Sequence, residues 1–159
     1  MNSFRIVPLS ADWAERIRTT RRDEWGNAVL EQVATGYGPC RLTLRAFRPG
    51  EDRRLLASYA PFAGEGLYAE RGPVFISATA TEPYADVHRF PPDIKADPVH
   101  FPLSLLGYSA DHRMVFTQLV GDADVDDLID RIFAQRPEVT YLHVRNSEAC
   151  CYICAVERT

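Results

Sequence analysis

Residues 140–157 read TYLHVRNSEACCYICAVE, two runs rich in β-branched and aromatic residues on either side of Asn146-Ser147-Glu148-Ala149. Such runs around a cluster of turn-forming residues predict a β-hairpin. A two-residue loop at Ser147-Glu148 and a four-residue loop from Asn146 to Ala149 give the same register. It pairs Arg145 with Cys150, His143 with Tyr152 and Tyr141 with Cys154, so all six share one face. Leu142, Val144, Cys151 and Ile153 then point into the core. In that register Cys150 lies beside a guanidinium, which favours a thiolate, whereas Cys151 among apolar neighbours is inert. A three-residue turn or a bulge exchanges the two.

Working outward, the same strand signals recur. Leu103 to Tyr108 and Met114 to Val120 form a pair turned at Ser109-Ala110-Asp111. Arg41 to Ala46 alternates cleanly, Pro49-Gly50 turns the chain, and Arg54 to Tyr59 reads as the return strand. Val74 to Thr79 is β-branched, and Phe4 to Val7 is a short strand stopped by Pro8. Helical periodicity is confined to fewer places. After Asp124, residues Val125, Leu128, Ile129, Ile132 and Phe133 line one face, acids occupy the first turn, and Pro137 ends the run. Asp12 and Glu15 have capping-box spacing ahead of Trp13 and Ile17, and Ala28 to Ala34 reads as a helical turn. The segment from Thr81 to Pro102 holds five prolines, and at that length it is either a functional lid or packed against the body. Strands outnumber helices and are joined by short turns. The expected class is α+β: a mostly antiparallel sheet with two or three helices packed on one face.

At 159 residues with 46% hydrophobic and 25% charged residues, the chain is expected to be a single domain over 1–159. A chain of that size buries roughly 68–70% of its unfolded surface, enough for a core without staples. The net charge of −4 gives no footprint for nucleic acid, which is therefore excluded as a partner. A membrane is excluded too, because no stretch reaches the roughly 18 apolar residues of a spanning helix. With no secretory signal and only four cysteines, the chain reads as cytoplasmic with free thiols.

Several motifs fail on inspection. Cys151-Tyr152-Ile153-Cys154 matches C-x-x-C, but residues three apart on a strand face opposite ways, and two further ligands are lacking, so no metal is expected. Asp122-Ala123-Asp124-Val125-Asp126 begins like a calcium loop and then carries Asp127 and Phe133 where Gly and Glu are needed. No nucleophile elbow, phosphate loop or dinucleotide fingerprint occurs, and no cofactor is implied.

Gly38-Pro39-Cys40-Arg41, Pro49-Gly50-Glu51, Tyr59-Ala60-Pro61-Phe62, the run from Tyr68 to Ile76, His143-Val144-Arg145-Asn146 and Cys151-Tyr152 together resemble a bacterial family known as domain of unknown function family 1203. The resemblance extends from about Gly26 to Arg158 and implies a bacterial single-domain protein with no assigned activity. It further implies His and Cys at places held here by Leu42, Thr43, Ser77 and Thr81, so any shared His/Cys site is dismantled in this chain. The motif positions that survive are Cys40, Arg41, Glu70, Arg145, Asn146 and Cys151.

Three functional readings follow. The first is a binding domain for an anionic small molecule, with Arg41, Glu70, His143, Arg145 and Asn146 lining a pocket beside the C-terminal hairpin. Guanidinium forks bind carboxylate and phosphate oxygens bidentately. The second is an enzyme using Cys150 or Cys40 as nucleophile with His143 as base. The third is a structural homodimer formed through exposed strands, with no ligand.

Overall fold

A computed structural model describes residues 2–63 and 65–159. The strands are β1 (Phe4–Val7), β2 (Leu30–Val33), β3 (Arg53–Tyr59), β4 (Gly72–Ser77), β5 (Leu103–Tyr108), β6 (Met114–Leu119), β7 (Tyr141–Asn146) and β8 (Tyr152–Arg158). The helices are α1 (Ala11–Thr20), α2 (Pro92–Lys95) and α3 (Val125–Gln135). The strands divide between a five-stranded sheet ordered β1-β8-β7-β5-β6 and a three-stranded sheet ordered β2-β3-β4. All pairings are antiparallel. The class is α+β, as the short turns between strands require.

Helix α3 forms where the apolar stripe predicts it. The Asp124 side chain caps it by accepting from Asp127 N (3.2 Å), and Val125, Leu128, Ile129, Ile132 and Phe133 are all buried. They pack with Leu105, Leu142, Val144, Cys154 and Val156 from one face of the five-stranded sheet. The proline-rich segment joins this core instead of hanging free: Phe90, Ile94 and Phe101 are buried in it. Lys95 Nζ clamps α2 onto the acidic start of α3, 2.8 Å from Asp124 and 2.6 Å from Asp126.

Helix α1 belongs to a second cluster. Trp13, Ala14 and Ile17 pack with Leu55, Val74 and Ile76 of the three-stranded sheet, and Tyr152 enters this cluster from β8. The N-cap is Ser10, whose side chain accepts from Trp13 N, and not the Asp12 that the capping-box spacing indicates. Trp13 N, at N3, donates the cap bond, so the helix begins two residues earlier than that spacing implies.

Two other local expectations are overturned. Arg41 to Ala46 is a turn and an irregular stretch, not a strand. Its leucines do alternate, but between two cores: Leu42 enters the cluster with α1, and Leu44, at φ 54°, the cluster with α3. Backbone bonds from Leu44 N to Cys40 O (2.8 Å) and from Arg41 N to Phe75 O (2.9 Å) hold the segment between them. Residues 30–33, expected in a helical turn, form the edge strand β2, because β3 offers it a ladder from Leu30–Leu56 to Val33–Arg53.

Gly38, at φ +90°, lets the backbone pass against Phe47, whose ring a Cβ at this position would overlap. Positive φ and a packed aromatic both oppose a side chain here. Gly38→Ala is expected to destabilise the fold by about 2 kcal/mol or more, measured as a lowered urea midpoint at unchanged m-value.

Candidate functional site

The hairpin of β7 and β8 forms, but its register differs from the expected one. The chain closes around Ser147 to Cys150, with Asn146 N donating to Cys151 O (3.1 Å) and Cys150 N to Asn146 O (2.8 Å). The cause is the Asn146 side chain, whose Oδ1 accepts from Glu148 N and Ala149 N, both at 2.9 Å. That Asx-type turn, with Cys150 left-handed at φ 65°, places Arg145 opposite Tyr152 rather than Cys150. A bulge then inserts Ile153, so Val144 faces Cys154, His143 faces Ala155 and Tyr141 faces Glu157. Cys154 is thereby turned into the core with Leu142 and Val144, away from the face expected for it. Burial pushes its thiol up to about 12.

The exchange of the two vicinal cysteines follows. Cys150 is exposed at the turn, its sulfur hydrogen-bonding Glu148 O at 3.6 Å. Cys151 is the one whose sulfur accepts from a guanidinium, that of Arg41. Arg41 is 1% exposed. Its Nε–H donates to Tyr152 O (2.8 Å), Nη1 to Pro39 O (2.6 Å) and Nη2 to Cys151 Sγ (3.2 Å). Burial lowers the Arg41 pKa, opposed by the neighbouring Cys151 sulfur. Among the described residues no carboxylate forms an ion pair with it.

In front of Cys151 lies a cavity of about 210 Å³ whose wall includes Tyr59, Glu70, Arg71, Arg145, Cys150 and Cys151. Arg145 Nη2 sits 2.5 Å from Glu70 Oε1 and Nη1 donates to Cys150 O (3.0 Å), while its buried Nε has no partner. The pair is asymmetric in exposure, 15% for the Arg145 side chain against 60% for that of Glu70. Arg71 stacks over Trp25 with its guanidinium carbon 4.6 Å from the ring centroid.

Of the residues singled out from sequence, Glu70, Arg145 and Cys150 therefore line one cavity, and Arg41 stands behind its wall. Asn146 is spent on the turn and on a bond from Nδ2 to His100 O (3.3 Å). His143 is 3% exposed, in a cage of rings: Phe62 and Tyr108 at 4.8 Å, Tyr152 at 5.0 Å and Tyr141 at 5.4 Å between centroids. Its Nδ1 has no hydrogen-bond partner, so no thiol–imidazole bond to Cys40 or Cys150 is made there. Burial, helped by Arg145 and His112, lowers its pKa to about 3 and keeps the ring neutral. Cys40 is buried and borders a separate open cavity of about 940 Å³. Thr43, Ser77 and Thr81 border the same cavity, whereas Leu42 is fully buried. Among the described residues no group of three or more His, Cys, Asp or Glu side chains is placed to hold a metal, and no helix is long and apolar enough to cross a membrane.

Sequence reasoning named Cys151 as a motif position but read it as inert, and it gave Tyr59 no place in the site. No local signal marks the pairing of Cys151 with Arg41, because Arg41 lies 110 residues away along the chain.

Two antiparallel sheets meeting at a buried arginine define an α+β protein whose polar cavity sits beneath a tight hairpin turn. Over residues 37–158 the chain matches the family described as Protein of unknown function (DUF1203), and it belongs to that family. No curated protein and no solved structure matches the chain.

The His143 cage has a pH consequence. Between pH of about 6.5 and 3 the unfolded chain binds a proton that the folded chain refuses, so the stability from this group is complete above pH 6.5 and falls as the solution is acidified. From pH 7 to pH 5 the wild type should lose about 2 kcal/mol through this residue. Chemical denaturation of His143→Phe at the two pH values should show that much less loss, with the slope from carboxylates left in both proteins.

Proposed function

We propose that the protein binds a small anionic molecule, a carboxylate or phosphate, in the cavity walled by Arg145 and Glu70. The observation that carries this reading is the Arg145–Glu70 pair itself. A largely buried guanidinium is satisfied on its outer edge by the carboxylate of a side chain that is itself 60% exposed, and its Nε–H is left without an acceptor. Glu70 stands where the acid group of a ligand would stand, and exchanging the two costs little because Glu70, 60% exposed, returns to solvent while the ligand's acid group keeps the guanidinium paired. A free anion can then take the Nη2 edge, and a bidentate pose recruits Nε as well. Arg71 adds a second positive charge on the same wall. At about 210 Å³ the cavity is smaller than the ligand sites of roughly 300–1,000 Å³ usual for drug-sized molecules, which favours a single acid group or a short organic acid.

The set of binding residues narrows accordingly from the sequence-based one. Arg145 holds the ligand and Glu70 gates it. Arg41 supports the wall through Tyr152 and Cys151, His143 supports it through Tyr152, and Asn146 shapes the turn above it.

Thermal melts with inorganic phosphate, succinate and a sugar phosphate test this. A member of the panel at about 100 times its Kd should raise the melting temperature by about 5–10 °C. Glu70→Gln should need several-fold less ligand for the same shift, and Arg145→Gln should abolish it. No shift in either wild type or Glu70→Gln, or a shift that survives in Arg145→Gln, overturns the reading.

A further inference from the structure

The Arg41–Cys151 contact carries an inference that does not use the Arg145–Glu70 pair and stands or falls apart from it. An arginine cannot shed its proton in a protein, so its burial demands a compensating partner. Two of the three atoms that Arg41 donates to are backbone carbonyls, which cannot ionise. The third is Cys151 Sγ, the one atom in contact with the guanidinium able to carry negative charge. Cys40 and Cys154 also feel the field of Arg41, but both are buried. Cys151 is partly exposed and borders the cavity, so a small reagent has a path to it.

We propose that Cys151 is a hydroperoxide-reactive thiol, activated by the buried guanidinium of Arg41. Its sulfur attacks one oxygen of the peroxide. The S–O bond forms as the O–O bond breaks, and sulfur is oxidised to sulfenic acid. The second oxygen departs as hydroxide, or as alkoxide from an organic peroxide, and takes up a proton to leave as water or alcohol. The guanidinium cannot move, being held by Tyr152 O and Pro39 O, so it faces the sulfur before and after oxidation.

The neighbouring thiol is poorly placed to finish the reaction. Adjacent Cα atoms are about 3.8 Å apart, below the range of about 4.4–6.8 Å that disulfides span, so a Cys150–Cys151 bond would strain the turn. The sulfenic acid therefore waits for a soluble thiol of the glutathione type. That thiol's sulfur bonds to Cys151, and the sulfenic oxygen leaves as water.

The decisive comparison is internal, because Cys150 is the more exposed of the pair. If exposure alone governed reactivity, Cys150 would lead. The proposal requires the reverse. In the intact protein at neutral pH, iodoacetamide should modify Cys151 about tenfold faster than Cys150, resolved by peptide mass mapping. Stoichiometric hydrogen peroxide with dimedone should place the sulfenic-acid adduct on Cys151, unchanged in Cys150→Ser and gone in Cys151→Ser. Arg41→Gln, which removes the charge, should bring the two rates within about twofold where circular dichroism shows it folded. If that variant does not fold, the rate ratio and the two serine variants decide by themselves. Cys150 reacting as fast as Cys151, an adduct mapped first to Cys150, Cys40 or Cys154, or no adduct at all would overturn the proposal.

Discussion

A buried guanidinium with no carboxylate partner among the described residues is the constraint around which the two sheets meet. Arg41 leaves the core of the α1 cluster, accepts Leu9 N and donates to Phe75 O through its backbone, and spends its side chain on Tyr152, Pro39 and Cys151. It thereby ties β4 to β8, which belong to different sheets. Removing one partner of such a group costs roughly 3–5 kcal/mol, because the remaining charge stays in low dielectric. Apolar packing alone would hold two sheets near one another. The directional bonds of Arg41 set where β8 passes relative to β4, and with it the position of Tyr152 and Cys151.

The cavity follows from that placement. Arg145, on β7 beside Tyr152, faces Glu70 just ahead of β4, so its two walls come from two sheets and a small slip between them would open or close it. The aromatic cage around His143 stiffens the same wall. Neutral imidazole, three tyrosines and Phe62 pack edge and face without a hydrogen bond at Nδ1, and this chemistry suits a scaffold more than proton transfer. Charge lies elsewhere, on Arg145 beside Glu70 and on Arg41 against the Cys151 sulfur.

Much of the architecture was legible locally. The α3 stripe, the β5–β6 pair and the C-terminal hairpin each carry a period that only one element satisfies, and each forms within a residue or two of where that period places it. Legibility failed where one segment serves two cores. The alternation of Leu42 and Leu44 mimics a strand, yet the two leucines enter different clusters. It failed again at the hairpin turn, where a single Asn side chain capturing two backbone amides moved the register, and a bulge at Ile153 then turned Cys154 inward. Neither device leaves a periodic signal, because each acts on one residue.

What sequence by itself determined is the class of the fold, the elements with a clear apolar period and the family, all of which rest on patterns repeated over many residues. It also supplied the residue types a site must draw on, among them Arg145, Glu70 and the vicinal cysteines. Only tertiary structure decided which cysteine stands beside a positive charge, since Arg41 reaches Cys151 across 110 residues of chain. The physical reason is that periodicity encodes which side is buried, whereas the pairing of a charge with its partner depends on where separate elements come to rest.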